Sequence, residues 1–159
     1  MSTASRRVSS VTLRPAAAED CRQIWLWRND PETRRASFDS SPIPFENHEA
    51  WFRASLERQD RKLYVILAEG TESGMVRLDV SGHEAEVSIH LAPEWRFRGV
   101  GSAALQALLD LAFGALGLER LVALVKPDNR ASLSAFRKAG FALENAGDVL
   151  TLVKRRHEH

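Results

Sequence analysis

The sequence predicts an α+β domain of about seven strands and about four helices. Short runs of alternating or continuous hydrophobic residues outnumber helical segments, which is typical of a fold built on a sheet. Two of these runs flank a turn at Ser81, Gly82 and His83, which indicates an antiparallel hairpin. A later segment instead repeats its apolar residues with helical spacing, at Leu105, Leu108, Leu109, Ala112, Phe113 and Leu116. The expected order is strand, two helices, three strands, helix, strand, helix and two strands.

The amino-terminal third predicts one strand and two helices. Residues 8–13 alternate weakly in hydropathy and are followed by Arg-Pro, as at the end of a strand. Two acidic residues then precede a short helix over residues 21–27, and the approach to Pro31 ends it. A loop with two prolines leads to a second helix over about residues 46–56.

The middle of the chain predicts three strands and a helix. Residues 63–68 form a continuous apolar run, which suits a buried strand. Residues 74–80 and 85–91 are the two arms of the hairpin. The amphipathic helix follows after a glycine-rich stretch, and its apolar stripe is expected to face the core.

The carboxy-terminal part alternates strand and helix. Residues 120–125 predict a buried strand, and residues 129–138 predict a helix. Gly140 is placed where a glycine commonly closes a helix. Two further strands are expected over residues 141–143 and 149–153, around a turn-forming segment.

Length and composition limit the classes of function. The chain has 159 residues, 44% of them hydrophobic, so we expect a single domain over residues 1–159, with an ordered core over about residues 9–154. The 22 basic and 21 acidic side chains leave a net charge of +1, which argues against a nucleic-acid or membrane-surface partner. No apolar run is long enough to span a bilayer, and the first residues lack the apolar core of a secretory signal. The single Cys21 excludes an internal disulfide and a cysteine-rich metal site. We therefore expect a cytoplasmic protein without a metal.

A glycine-rich stretch separates the hairpin from the amphipathic helix. It comprises Arg96, Phe97, Arg98, Gly99, Val100, Gly101 and Ser102. Glycines let a ligand approach the backbone closely, and the free N–H groups of a helix N-terminus attract an anion. The two arginines add positive charge. The stretch predicts a phosphate cradle, and the alternative is a turn that only starts the helix.

Residues 99–104 also match the Gly-x-Gly-x-x-Ala pattern of dinucleotide-binding folds. That pattern follows the end of a strand immediately, inside a βαβ unit. Here residues 92–98 separate the strand from the first glycine, and the preceding strands form a hairpin. The sequence therefore argues against a nicotinamide dinucleotide at this stretch.

Two motifs together resemble a known family. They are Arg96, Gly99 and Gly101 in the first, and Asn129, Ser132, Gly140 and Phe141 in the second. With the order of elements, they resemble the GCN5-related N-acetyltransferase (GNAT) superfamily over nearly the whole chain. The resemblance implies a mixed, mostly antiparallel sheet that is splayed between strands 4 and 5. It also implies that acetyl-CoA is the co-substrate, bound by the glycine-rich stretch with Asn129, Ser132 and Phe136, and that the acetyl group passes directly to a primary amine.

The two hairpin strands each carry polar side chains on one face. Glu86, Ser88 and His90 share one face of the fourth strand, and Arg77 and Asp79 share a face of the third. A central strand is normally buried on both faces, so the polar row indicates a wet cleft. The alternative is a sheet face half exposed to solvent.

The resemblance assigns this strand to catalysis. Backbone amides near Ile89 and Leu91 would hold the thioester carbonyl and stabilise its developing negative charge. The attacking amine must be neutral, and a carboxylate or an imidazole can remove its proton. Glu86 and His90 are therefore the two candidate bases, and the sequence prefers neither.

The chain departs from the family at one position. Many members have a tyrosine seven residues after the motif asparagine, where it protonates the departing thiolate. Phe136 occupies that position here and cannot donate a proton. A thiolate leaves tolerably well without protonation near neutral pH, so the departure does not exclude catalysis.

The amino-terminal third is expected to form the acceptor pocket. His48 and Trp51 share a helix face, and with Arg28 and Arg77 they resemble a pattern of the amino-sugar acetyltransferases of pseudaminic acid biosynthesis. That resemblance implies a UDP-linked 4-amino sugar, since cations suit a diphosphate and rings suit uracil or sugar faces. The alternatives are a ribosomal-protein or peptide N-terminal amine, another small amine, or a module that binds acetyl-CoA without catalysis. A homodimer is one expected assembly.

Overall fold

The computed structural model describes residue 8 and residues 10–157. Residues 1–7, on which the cytoplasmic expectation partly rests, and Ser9 of the first predicted strand lie outside the described residues. The strands are β1 (Val11–Pro15), β2 (Arg61–Ala68), β3 (Thr71–Ser81), β4 (Glu84–Leu91), β5 (Arg120–Val125), β6 (Ala142–Ala146) and β7 (Leu150–Arg155). The helices are α1 (Cys21–Arg28), α2 (Pro31–Ala36), α3 (Phe45–Glu57), α4 (Val100–Phe113) and α5 (Arg130–Lys138).

The seven strands form one mixed sheet in the order β1-β2-β3-β4-β5-β7-β6. All neighbouring strands are antiparallel except β4 and β5, which are parallel. This arrangement confirms the predicted α+β class and the mostly antiparallel sheet.

The sheet opens between β4 and β5. The two strands pair only at their first three positions, where residues 84–86 of β4 lie beside residues 120–122 of β5. Beyond that point β4 stays paired with β3 and β5 stays paired with β7, but the two no longer pair with each other. The predicted splay is therefore confirmed, and it leaves one edge of each strand free.

Hydrophobic cores lie on both faces of the sheet. Because side chains alternate along a strand, Val76 packs with α4 on one face and the adjacent Met75 packs with α1 and α3 on the other. The second core contains Ile24 and Phe52, both essentially unexposed. Burying a side chain of this size contributes about 1.5–3 kcal/mol, so these contacts fix α1 and α3 on the sheet.

One helix was not predicted. Pro31, interpreted from the sequence as the end of α1, is instead the first residue of the additional short helix α2. Asp30 caps this helix, because its carboxylate accepts a hydrogen bond from the Thr33 N–H at 3.1 Å. Proline is compatible with the first helical position since its missing N–H is not needed there. The same residues therefore end one helix and begin the next.

The end of α5 confirms the predicted role of Gly140. Its φ is +95°, and its N–H donates to the carbonyl of Arg137 at 2.9 Å. The Phe141 N–H donates to the Phe136 carbonyl at 3.0 Å, and the two rings meet edge to face with centroids 5.0 Å apart. This is the hydrogen-bond pattern of a Schellman motif with its hydrophobic contact. It fixes Phe136 in the core.

In the part of the chain that the structure describes, no helix is both long and apolar enough to cross a bilayer. Within the same residues, no three His, Cys, Asp or Glu side chains are grouped so that they could hold a metal ion.

Candidate active site

A cleft of about 470 Å³ lies where β4 and β5 separate. Its walls come from β4, β5, α5, the end of α1 and the segment between α2 and α3. It brings together seven of the predicted site residues, namely Arg28, Arg77, Ile89, His90, Asn129, Ser132 and Phe136. Residues that were not predicted as site residues also line it, among them Arg34, Phe38 and Asp39.

The free edge of β4 forms one wall of the cleft. Beyond Glu86 this strand has no partner on the β5 side, so backbone groups of the following residues on that edge meet no strand. On its other edge β4 is held closely by β3. A Cβ added to Gly74 would lie 2.3 Å from the His90 carbonyl oxygen, so only glycine fits opposite this part of β4. This part of β4 is therefore held by β3 along one edge, and its other edge is unpaired and faces the cleft.

The N-terminus of α4 has free donors next to this wall. Gly99 precedes the helix with φ +80°, a left-handed conformation that glycine adopts without strain, and no side chain caps the helix. The first N–H groups of an α-helix have no partner inside the helix. A Cβ on Gly101 would lie 3.6 Å from the Leu91 side chain and 3.7 Å from that of Ala135. The free N–H groups therefore lie between the end of β4 and α5, as a phosphate cradle requires.

The arginines of the glycine-rich stretch have other partners. Arg96 forms an ion pair of 2.6 Å with Asp30 and a hydrogen bond of 3.0 Å with the Thr33 hydroxyl. Arg98 lies over the Trp95 ring, 4.3 Å from its centroid. Phe97 is 91% exposed at φ +61°. Charge from these arginines on a phosphate stays a prediction, and in the structure Arg96 instead ties the stretch to α2.

Asn129 and Ser132 form a local cap rather than two independent ligands. The Asn129 side chain accepts a hydrogen bond from the Ser132 N–H at 3.2 Å, so Asn129 begins α5. Phe136 lies one turn further along the same face of α5 and is 2% exposed. The only tyrosine of the chain, Tyr64, belongs to the core that packs on α4. Tyr64 therefore does not supply the phenol hydroxyl that is missing at Phe136.

The polar face predicted for β3 and β4 is present. Arg77 lies opposite Ser88, Asp79 lies opposite Glu86, and Met75 lies opposite His90. The guanidinium of Arg77 donates to the Ser88 hydroxyl at 3.2 Å. The polar row thus lies on the same sheet face as Met75, which packs under α1 and α3. Arg77, Ser88 and His90 of this row line the cleft.

The two candidate bases differ in position. His90 lines the cleft, whereas Glu86 is exposed in the paired part of β4, roughly 13 Å away along the strand. Burial first, and then the nearby charges of Arg77, Arg28 and Arg96, together lower the pKa of His90 to about 4. The His90 imidazole is therefore neutral at pH 7 and can accept a proton. The role of either residue as the base stays a prediction.

His48 is fully buried and does not reach the cleft surface. Its Nε2 lies 2.8 Å from the Cys21 carbonyl oxygen, and its Nδ1 lies 2.9 Å from Nη1 of Arg28. A carbonyl only accepts and a guanidinium only donates, so Nε2 carries the proton and Nδ1 accepts from Arg28. Burial lowers the pKa of His48, which keeps this neutral form. The predicted contact of His48 with a substrate is replaced here by a contact with Arg28.

Trp51 packs beneath the same arginine. Its ring lies 4.1 Å from the Arg28 guanidinium carbon, and Arg61 and Arg77 approach it at 5.5 and 5.9 Å. Like His48, it is not among the described residues that line the cleft. Of the predicted acceptor residues, Arg28 and Arg77 are therefore the two that face the ligand space.

The segment between α2 and α3 closes one side of the cleft and was missed as a site element. Its backbone is fixed at Ile43, whose carbonyl accepts from the Trp25 indole at 2.7 Å and whose N–H donates to the Asn29 side chain at 2.9 Å. The two prolines that flank Ile43 were the available signal, since they stiffen a loop. Only tertiary contacts with α1 turn this stiff loop into a wall.

Comparisons with known proteins agree with this architecture. Residues 10–142 match the family described as acetyltransferase (GNAT) domain. The spermidine N(1)-acetyltransferase of Escherichia coli (strain K12) is 28% identical over 138 residues, which are 85% of this chain and 74% of that protein. An L-amino acid N-acetyltransferase of the same strain is 24% identical over 150 residues, 91% of each chain. A crystal structure of spermidine N-acetyltransferase from Vibrio cholerae, in complex with CoA and spermine, superposes with a TM-score of 0.85 at 21% identity, covering 93% of this chain and 96% of that one. The chain thus belongs to the GNAT acetyltransferase family.

Proposed function

We propose that this chain binds acetyl-CoA in the cleft between β4 and β5 and transfers the acetyl group directly to a primary amine. One observation carries the proposal: a splayed sheet edge lies next to the uncapped N-terminus of α4. The pyrophosphate of acetyl-CoA would accept hydrogen bonds from the first N–H groups of α4. Asn129 and Ser132 would border the pantetheine arm that joins the pyrophosphate to the thioester. The relative crystallised with CoA supports this co-substrate.

The transfer itself needs a polarised carbonyl and a neutral amine. Free backbone N–H groups between Ile89 and Leu91 would stabilise the negative charge that develops on the thioester oxygen. As the C–N bond forms and the C–S bond breaks, the amine proton would pass to His90, directly or through water, and the thiolate would leave. His90 is the base that we propose, because it lines the cleft. Glu86 would have to act through a chain of waters.

The identity of the acceptor is the less constrained part of the proposal. The relatives compared above are named for spermidine and for L-amino acids. A UDP-linked 4-amino sugar, implied by the pattern around Arg28 and Trp51, has no support from these names and stays one acceptor among small amines. A protein amine is a further alternative, although a basic polypeptide would favour an acidic groove, and Arg28, Arg34 and Arg77 line this one. A homodimer stays part of the proposal, and size-exclusion chromatography would test it.

Release of free CoA thiol tests the function. The purified chain is incubated with acetyl-CoA and a panel that contains L-amino acids, spermidine, an aminoglycoside, a UDP-linked 4-amino sugar and a peptide. We expect acceptor-dependent thiol release for at least one class of amine, with an acetylated product detected by mass spectrometry. Binding of acetyl-CoA without thiol release from any amine would instead support the non-catalytic alternative.

A further inference from the structure

Three arginines surround Trp51 at the base of the cleft. Arg28, Arg61 and Arg77 each place the guanidinium carbon within 6 Å of the ring centroid, at 4.1, 5.5 and 5.9 Å. They come from α1, β2 and β3, so the cluster exists only in the folded chain. Like charges held this closely repel one another unless an anion lies among them.

Among the residues that the structure describes, one carboxylate pairs with the cluster. Within ion-pair distance of these arginines, the carboxylate that the described residues provide is Asp79, 2.7 Å from Arg61 and 3.1 Å from Arg77. Three positive charges against one negative charge leave two in excess. The 3.1 Å contact is made by the Nε of Arg77, which is buried and forms an ion pair with Asp79 without being aligned for a hydrogen bond to it. The cluster is therefore incompletely neutralised.

Arg28 is the member with no carboxylate partner. Its described polar contact is the hydrogen bond of 2.9 Å to Nδ1 of His48, a neutral acceptor. Burial first, and then the charges of Arg77 and Arg61, lower the pKa of Arg28 to about 10, so it stays protonated at pH 7. A half-buried cation without a counter-charge gains from binding an anion. The stack on Trp51 and the bond to His48 hold this cation in one orientation.

The other charged residues that line the cleft also leave its surface with a net positive charge. Arg34 also lines it and hydrogen-bonds two backbone carbonyls, of Asn29 and Ser40, rather than a carboxylate. The acidic residue among the lining residues is Asp39, on the exposed loop after α2. Three arginines and one aspartate therefore face a bound acceptor, and His90 beside them is neutral.

From this charge arrangement we infer that the acceptor amine carries an anionic group, a carboxylate or a phosphate, which binds between Arg28 and Arg77. The inference rests on the proposed acetyl transfer and specifies its substrate class. A polyamine would bring only positive charge to a wall of arginines, so polyamines are poor acceptors for this chain, unlike for the spermidine enzyme compared above. His48 and Trp51 serve as positioning residues for Arg28.

Matched acceptors that differ only in charge test this inference. Thiol release is measured with L-amino acids and their carboxamides, with a UDP-linked 4-amino sugar, and with spermidine. The amino acids report a carboxylate and the nucleotide sugar reports a phosphate, so the two sources of the anion are distinguished. We expect kcat/KM for at least one of these anionic acceptors to exceed that of its neutral counterpart (the carboxamide, or the corresponding sugar without UDP) and that of spermidine at least about tenfold, as expected for one charge-assisted hydrogen bond.

Variants separate charge recognition from general damage. Arg28→Met should raise the KM for the anionic acceptor at least about tenfold and leave the KM for acetyl-CoA unchanged. Arg77→Met serves as a second variant if circular dichroism shows that Arg28→Met is misfolded. Arg53→Met is the matched control, because Arg53 lies on the exposed side of α3 with its side chain 78% exposed.

The outcomes are distinct. Equal use of spermidine and an anionic acceptor, or an unchanged preference in both arginine variants, would overturn the inference while leaving the acetyltransferase proposal intact. Thiol release from an aminoglycoside alone would do the same. No thiol release from any amine would contradict the acetyl transfer itself and the acceptor class with it.

Discussion

The two sides of the cleft would hold their ligands by different means. On the α4–α5 side the groups available to a ligand are mainly backbone donors, at the uncapped start of α4 and along the free edge of β4. On the α1–α3 side they are arginine side chains, held by His48 and Trp51. A backbone site depends on local geometry that a short motif can encode. A side-chain cluster depends on which helices and strands pack together. Its residues can therefore differ between proteins that use different acceptors.

The largest expected effect is at the start of α4. In Gly101→Trp the new side chain starts within 3.7 Å of both the Leu91 and the Ala135 side chains, beside the free N–H groups of α4. We expect the affinity for acetyl-CoA to fall at least about a hundredfold, or about 2.7 kcal/mol, by isothermal titration calorimetry. Gly101→Ala is the matched control, because its Cβ makes only ordinary contacts. Unchanged affinity in the tryptophan variant would show that the donor binds elsewhere.

The close contact between β3 and β4 at Gly74 offers a test of the side of the cleft that backbone groups form. Gly74→Ala places a methyl group 2.3 Å from the His90 carbonyl oxygen, so β3 and β4 must move apart. Overpacking of this kind costs about 1–3 kcal/mol, which urea unfolding should detect as a loss of stability. Gly147→Ala is the control, since nothing lies within 4 Å of its added Cβ and its backbone is not left-handed. Equal stability of the two variants would contradict the close approach.

His48 tests the side-chain-built side. His48→Leu leaves the buried Arg28 N–H without its acceptor, a loss of about 1–3 kcal/mol. We expect the KM for the acceptor to rise about tenfold while the KM for acetyl-CoA stays constant. His48→Gln offers one donor and one acceptor and should restore most of the loss. If glutamine failed to rescue, or if both KM values rose together, His48 would be structural rather than a positioning residue for Arg28.

The pH dependence of stability offers a further test, on the side of the cleft where the arginines lie. The pKa of His90 is about 4 in the folded chain, whereas the ordinary value in an unfolded chain is about 6.5. Between these values the unfolded chain takes up a proton that the folded chain does not, so stability should fall as the pH is lowered from about 6.5 to about 4. His90→Asn should flatten this decline in urea unfolding series. His83→Asn, in the exposed β3–β4 turn, should leave it unchanged. If His83→Asn flattened the decline and His90→Asn did not, His90 would not be the buried histidine beside Arg77, Arg28 and Arg96.

Local sequence signals predicted the geometry of the α4–α5 side of the cleft better than that of the α1–α3 side. Gly99 and Gly101 before an amphipathic helix, and Asn129 three residues before Ser132, are local signals that the structure reproduces as an uncapped helix start and a helix cap. The missed helix α2 shows the limit of local signals, because Pro31 both follows one helix and starts another.

The acceptor residues show why sequence patterns do not assign roles. The pattern around His48 correctly marked Arg28 and its neighbours as belonging together. It could not show that His48 is buried and bonded to Cys21, since that depends on the packing of α3 on α1. Nor could it show that Arg61, from a different strand, joins the cluster. Spacing along one helix predicts a shared face, but charge balance arises only from the assembled sheet.

A crystal structure of the chain with bound acetyl-CoA would test the central claim most directly. We predict that the pyrophosphate accepts hydrogen bonds from the N–H groups at the start of α4, and that the thioester carbonyl lies against the free edge of β4 at residues 89–91. The acetyl group would then face His90, with Arg28 and Arg77 beyond it. Acetyl-CoA bound outside the β4–β5 cleft, or with its thioester turned away from β4, would contradict the account.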